Sequence, residues 1–266
     1  MNTENREYEQ RISELEKKLE QSNQHLQLCK NEKDEFIYLA CHDLKAPLRK
    51  LVTFTERLIQ SAGEQLNEEA ATWLQRIEKN VSCMQSLVDQ LSVLSDIEAE
   101  RRFEKCDLNE IMNEILQESE CELKNNGTVI HSTSFPTLEA IPSQVKLLFK
   151  HLLENAIKFQ PKGQSAEINI ESDLLDSDEK INLRLPVEKL YYKIKFADNG
   201  IGFSEEDTPQ VLKPFVTLHS KSDYPGNGLG LAICNKIIKM HQGKFFAKGA
   251  KPAGSIFVLI LPEFHQ

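Results

Sequence analysis

Ala40-Cys41-His42-Asp43-Leu44-Lys45-Ala46-Pro47-Leu48-Arg49 is the stretch from which the rest of the chain is read. It sets an imidazole beside a carboxylate in a run of helical character, with Phe36, Ile37, Leu39 and Ala40 leading in and no Gly or Pro before Pro47. An imidazole titrates near neutrality, so much of it is a neutral nucleophile at cellular pH. A neighbouring carboxylate can orient the ring or take its proton. A solvated surface or a helix cap also produces His-Asp pairs, so this one acquires meaning only from its surroundings.

Upstream, Tyr8, Ile12, Leu15, Leu19, Ser22, Leu26, Cys29, Lys33 and Phe36 recur at alternating spacings of four and three. That is a heptad seam with polar defects at Ser22 and Lys33, and it predicts a parallel coiled coil of modest stability over residues 1–34. A single solvated helix is the alternative. Downstream, Pro47 removes a backbone donor and is expected to bend the helix, while Leu48, Leu51, Val52, Phe54, Leu58 and Ile59 continue the apolar stripe to about Gln60. Ser61-Ala62-Gly63-Glu64 reads as a turn, and Asn67-Glu68-Glu69 as the cap and charged first turn of a second helix. That helix carries Trp73, Leu74, Ile77, Val81, Met84, Leu87, Val88, Leu91 and Leu94.

A hairpin over 35–99 with stripes this wide cannot bury them alone. Pairing of two copies into a four-helix bundle is the economical solution, so a homodimer is expected. Packing against the following domain is the competing explanation.

The 266 residues exceed one average domain. With 40% hydrophobic and 27% charged residues, the composition is that of a soluble, core-forming chain. A net charge of -9 argues against nucleic-acid binding, which needs a basic face. Cys29, Cys41, Cys83, Cys106, Cys121 and Cys234 show no metal-ligand spacing and read as reduced thiols of a cytoplasmic protein. The apolar run Ser255 to Leu261 is far shorter than the roughly 18 residues a membrane span requires, and the N-terminus is polar, so no membrane segment or signal peptide is expected. A sensor module is therefore expected upstream or on a separate chain.

After Arg101-Arg102-Phe103 the pattern changes. Leu108, Ile111, Ile115 and Leu116 predict a helix, Thr128 to Ser132 a strand, and Ser143 to Phe159 a helix opened by Ile141-Pro142-Ser143. Glu167 to Glu171 and Tyr191 to Phe196 alternate as strands, with Asp173 to Pro186 a long excursion between them. A helix at Gly230 to His241 and strands near Lys244 to Ala247 and Ser255 to Leu261 complete an α/β sandwich over 104–266.

Three elements of this second domain carry chemistry. Asp198-Asn199-Gly200-Ile201-Gly202 follows a strand, and an acceptor-only carboxylate there can hold an exocyclic amino group such as that of adenine. Gly226-Asn227-Gly228-Leu229-Gly230-Leu231 opens a helix, whose free N–H groups favour an anion, although the spacing is neither a P-loop nor a dinucleotide fingerprint. Glu154, Asn155 and Lys158 interrupt an apolar helix with an oxygen-rich pair suited to Mg²⁺ and one cation.

Taken in order, these stretches resemble the catalytic core of bacterial sensor histidine kinases. The motifs are an H-box at His42 to Leu48, an N-box at His151 to Phe159, a G1-box at Asp198 to Gly202, an F-box at Lys213-Pro214-Phe215 and a G2-box at Gly226 to Leu231. The resemblance covers roughly residues 35–263. It implies a Bergerat-type ATP-binding α/β sandwich after the dimeric helical bundle, with a mobile lid between the G1- and G2-boxes.

It further implies that His42 is phosphorylated with Asp43 as base, and that the phosphoryl group passes to an aspartate on a response regulator receiver domain supplied by a partner. Asn155 is expected to coordinate Mg²⁺ with Glu154 nearby, Lys158 to face the phosphates of ATP, and Phe159 to lie by the nucleotide. Asp198 is expected to hold the adenine amino group, with Gly200, Gly202, Gly226, Gly228, Leu229 and Gly230 shaping pocket and lid and Phe215 packing the lid.

Two positions depart from the family pattern: His151 stands where Asn is common, and Ala46 where Thr or Asn often positions water for dephosphorylating the partner. The second predicts weak phosphatase activity. A Bergerat-fold ATPase using water as acceptor and a non-catalytic dimeric scaffold are the alternatives.

Overall fold

The computed structural model describes residues 3–62, 67–98, 100–220, 223–249, 251 and 253–264, with the side chains of 3–10, 27, 30, 31, 34 and 62 excepted. The side chain of Tyr8 and the expected turn at Gly63-Glu64 lie outside the described residues. The chain separates into two compact units, Met1–Ser95 and Asp96–Gln266.

In the first unit, helix α1 (Thr3–Ala62) runs 60 residues and passes through Pro47 without a break in helical assignment. Helix α2 (Glu68–Asp96) starts where the sequence predicts: Asn67 Oδ1 accepts from the Ala70 N–H at 2.8 Å, and Glu68 and Glu69 complement the helix dipole. One pair of faces closes between the two helices. Cys41, Leu48, Val81 and Val88 are buried there, with Ile37, Val52 and Leu91 packed around them, and Lys45 pairs with Asp89 at 3.4 Å beside them. A second face stays open: Leu44, Leu51, Phe54 and Leu58 on α1 and Trp73, Ile77 and Met84 on α2 are all exposed. The long α2 stripe is thus covered by α1 along Val81 and Val88 and exposed along Trp73, Ile77 and Met84.

The second unit begins with strand β1 (Glu104–Asp107), helix α3 (Leu108–Glu118) and helix α4 (Glu120–Asn125). Strands β2 (Val129–Ser132) and β3 (Thr137–Ala140) lead to helix α5 (Pro142–Lys158) and strand β4 (Glu167–Leu174). Helix α6 (Ser177–Asn182), strand β5 (Tyr191–Asp198), the short helix α7 (Thr208–Val211), helix α8 (Gly230–Met240) and strands β6 (Lys244–Gly249) and β7 (Ser255–Pro262) complete it. A mixed sheet of order β2-β4-β5-β7-β6 is parallel only at β2/β4. β1 and β3 pair separately as an antiparallel ribbon that the sequence does not announce, because Glu104-Lys105-Cys106-Asp107 has no apolar alternation.

Alternate residues of the central strands, Ile168, Ile170, Ile194, Phe196, Phe257 and Leu259, are buried on the face that meets α5, where Phe149 contacts Phe196 at 5.3 Å between ring centroids. The excursion after β4 folds back over the opposite face. Leu175, Tyr191 and Ile260 form a small core there with Leu183, Leu185 and Val258. A capping box at Asp176 and Glu179 starts α6, and Lys193 reaches Glu179 at 2.6 Å.

The start of α5 has no side-chain cap. Instead the Ile141 N–H donates to Nε2 of fully buried His241 at 3.1 Å, whose Nδ1–H donates to the Ile237 carbonyl at 2.9 Å. Burial pushes the imidazole pKa down, so the ring is neutral and staples the start of α5 to the end of α8.

Phe149 is fully buried and also contacts Phe135. Phe149→Ala is expected to destabilise the second unit by about 3–5 kcal/mol, read as a lowered urea midpoint at unchanged slope. A loss under about 1 kcal/mol shows that this ring is not a packing centre.

Candidate functional site

His42 lies on the exposed surface of α1, Nδ1 3.2 Å from Asp43 Oδ1, with the two side chains 75% and 83% exposed. With the proton on Nδ1 the carboxylate accepts it, which leaves the Nε2 lone pair free for attack. Ala46 is exposed one turn further on.

In the second unit the C-terminal half of α5 presents His151, Glu154, Asn155 and Lys158 away from the buried Leu148, Leu152 and Ala156. His151 Nδ1 lies 3.4 Å from Glu154 Oε2, and this contact holds the Glu154 carboxyl below its ordinary range. The Asn155 side chain has no partner among the described residues, so its carbonyl oxygen is open to a cation. A Cβ added to Gly230, the first residue of α8, meets His151 Nδ1 at 3.7 Å, so the imidazole borders the α8 N-terminus. That terminus has no side-chain cap and no acidic residue in its first turn, leaving N–H groups for an anion. Leu229, just before it, is fully buried and anchors the loop.

Lys158 Nζ stands 4.6 Å from the centroid of the Phe159 ring, and burial lowers its pKa. Gly226 abuts that ammonium so closely that a Cβ there collides with it. Across the site, Asp198 at the end of β5 accepts from the Gly200 N–H at 2.9 Å and the Ser255 N–H at 3.2 Å, both at Oδ1. Burial raises its pKa against the pull of those two donors. The Gly200 and Ile201 segment is tied to α5 by the Ile201 N–H donating to the Phe159 carbonyl at 2.9 Å.

Phe215 contributes its backbone: its N–H donates to the Gly228 carbonyl at 2.9 Å, while its ring is exposed and its φ is +64°. Gly228 has φ +69°, and a Cβ there meets the Val216 carbonyl at 2.5 Å. Gly202 is buried and hydrogen-bonds His219 through its backbone. Thus Asn155, Lys158, Phe159, Asp198 and the glycines converge on one region of the second unit. His42 and Asp43 belong to the first.

Sequence reasoning missed several contributors. Gly254, with φ +94°, packs its backbone directly on the Asp198 carbonyl, which excludes any side chain there. His219 and Tyr224 pack tilted against Phe159 at centroid distances of 5.6 and 5.5 Å, and the Tyr224 hydroxyl donates to the Gln160 carbonyl at 3.1 Å. The available signals were a glycine opening the last strand and an aromatic residue just before Pro225-Gly226.

For a divalent cation, the donors at hand are the Asn155 carbonyl oxygen and the Glu154 carboxylate. Among the described residues no three His, Cys, Asp or Glu cluster as a metal site. A hard cation that keeps its waters and leans on substrate phosphates suits so sparse a donor set, which is the habit of Mg²⁺.

A family model described as His Kinase A (phospho-acceptor) domain matches residues 32–100, and one described as histidine kinase-, DNA gyrase B- and HSP90-like ATPase matches 140–265. Cyanobacterial phytochrome A of Nostoc sp. is 27% identical over 94% of this chain and 30% of its own length. The cell-division control histidine kinase PdhS of Brucella ovis is 23% identical over 93% and 24%. The chain therefore spans less than a third of the length of these relatives. Among solved structures, full-length ShkA in complex with AMPPNP matches in fold with a TM-score of 0.63 at 18% identity, covering 86% of this chain and 45% of that one. Acinetobacter baumannii histidine kinase AdeS matches with a TM-score of 0.53 at 21% identity, over 82% and 97%.

A carboxyl whose folded pKa is raised adds stability below its unfolded pKa and loses it as pH rises through the folded value. Asp198→Asn is therefore expected to raise the denaturation midpoint of the ligand-free chain at pH 7, with the gap closing as pH falls into the ordinary carboxylate range. Equal midpoints for both proteins at pH 7 contradict a strained buried carboxylate.

Proposed function

The chain belongs to the sensor histidine kinases and carries their phospho-acceptor and ATPase regions in one catalytic core, and from that premise we propose that it autophosphorylates His42 with ATP and passes the phosphoryl group to an aspartate of a response regulator. The observation that carries this reading is the exposed His42-Asp43 pair in a chain that also holds a nucleotide-type site. Asp43 takes the Nδ1 proton while the Nε2 lone pair forms an N–P bond to the γ-phosphorus and the bond to the ADP leaving oxygen breaks. The product is a phosphoramidate competent for transfer. Positioning and charge stabilisation supply most of such catalysis.

Each site residue has a role in this reading. Asp198 accepts from the adenine amino group, and its two backbone donors hold Oδ1 in place for that. Phe159 flanks the nucleotide, Lys158 faces the phosphates, and the N–H groups of α8 behind Gly226, Gly228 and Gly230 receive phosphate oxygens. Mg²⁺, held by Asn155 with Glu154 nearby, supplies charge neutralisation at the phosphates. His151, in place of Asn, braces Glu154 and lines the α8 terminus. Glu154 is a poor general base because that contact favours its ionised form, which weighs against an ATPase that activates water.

The open face of the hairpin supports a homodimer through residues 35–99, with residues 1–34 relaying a signal from a sensor module and residues 104–266 supplying ATP. No helix among the described residues is long and apolar enough to cross a membrane, and none of the six cysteines forms a disulfide.

Incubation with γ-labelled ATP and Mg²⁺ is expected to yield acid-labile, base-stable label that disappears in His42→Gln. Label surviving that substitution, or phosphate release without labelling, overturns the assignment. Because Ala46 has no side-chain donor or acceptor to position water, the chain is expected to accelerate decay of the phosphorylated regulator weakly, and Ala46→Thr to accelerate it more. Strong acceleration by the unaltered chain would refute the kinase-biased reading.

A further inference from the structure

Outside the phosphotransfer apparatus, α1 carries a pair of soft-metal donors that neither packing nor catalysis uses. His25 Nε2 and Cys29 Sγ lie 3.8 Å apart, one turn from each other, and both side chains are exposed. Two donors on one helix are half a site. The heptad seam says where the other half comes from.

Along that seam Ile12, Leu19, Leu26 and Lys33 take the a positions and Leu15, Ser22, Cys29 and Phe36 the d positions, which puts His25 at g. Leu15, Leu19, Leu26 and Phe36 are all more than half exposed, so the stripe is uncovered among the described residues. In a parallel pair each d side chain faces its own copy across the axis, and the g residue four positions earlier, one turn away on the helix flank, reaches that thiol as His25 reaches Cys29 at 3.8 Å. Two thiols and two imidazoles then converge. This donor set, S₂N₂ with no competing carboxylate in the layer, matches closed tetrahedral zinc sites rather than the oxygen shells of Mg²⁺ or Ca²⁺.

We propose that two copies of α1 bind one soft divalent cation of the Zn²⁺ class through His25 and Cys29 of both copies. The site rests on the homodimer reading and is incomplete without it. It lies in the weakest part of the seam, between the hydroxyl of Ser22 and the ammonium of Lys33, where apolar packing does least to fix register. Cation binding there releases the thiol protons and clamps the two helices in one alignment. His42 follows Cys29 by 13 residues on the same uninterrupted helix, about 20 Å along the axis. The clamp thus acts on the element that carries the phosphoacceptor.

Co²⁺ titration of the full chain under a non-thiol reductant, with sedimentation equilibrium in parallel, tests this. The expected result is a tetrahedral ligand-field spectrum with a thiolate-to-cobalt charge-transfer band, saturating at one metal per two chains and displaced by Zn²⁺. Cys29→Ser should abolish the charge-transfer band, and His25→Gln should weaken Co²⁺ binding by about tenfold or more. Cys83→Ser and Cys121→Ser, at exposed thiols elsewhere, should leave both unchanged. A dimer that shows no thiolate band, or a band that survives Cys29→Ser, overturns the site and leaves the dimer standing. A monomeric chain overturns the dimer itself, and the site with it.

Discussion

Helix α5 has to be buried along one side and open along the other, and much of the second unit follows from that requirement. Val145, Leu148, Phe149 and Leu152 are essentially inaccessible, while His151, Asn155 and Lys158, three or four residues apart on the next faces, keep contact with the site. A helix in that position cannot be capped by water at its start. The His241 imidazole fills that need, and losing it leaves a buried N–H unsatisfied at a cost of about 1–3 kcal/mol. The same ring ends α8, the helix whose other terminus offers the anion site. The start of α5 and the end of α8 are thus referred to one buried, neutral side chain.

Asp198 shows what the site demands in return. Its carboxylate is buried with backbone donors on one oxygen, and the Gly254 backbone presses against its own carbonyl. The arrangement costs the ligand-free chain stability and leaves a fixed acceptor, the one that the proposed function gives to the adenine amino group. The described residues before the Gly226 turn are tied differently, through backbone bonds and tilted ring contacts of His219 and Tyr224 with Phe159. Such a segment can rearrange without unmaking the sandwich.

In the first unit the governing fact is that α2 is apolar on more surface than α1 can cover. Val81 and Val88 are satisfied within the hairpin, whereas Trp73, Ile77 and Met84 are not. This division of one stripe into a covered and an exposed part is invisible to periodicity, which reports that residues are apolar and not which of them are buried.

The sequence by itself determined the long α1 helix, the Asn67 cap, the α/β order of the second unit and the residues that gather around Asp198, because each rests on local signals: heptad spacing, alternation, and glycines where backbone must approach closely. Only the tertiary structure decided the rest. The β1–β3 ribbon is held by a partner thirty-odd residues away, and Glu104-Lys105-Cys106-Asp107 carries no pattern of its own. The excursion after β4 acquires a helix because it finds Ile260 and Val258 to cover. His241, Gly254 and Tyr224 matter through what they touch across the fold. Contacts between residues distant in sequence are set by the packing of whole elements, and no local propensity encodes them.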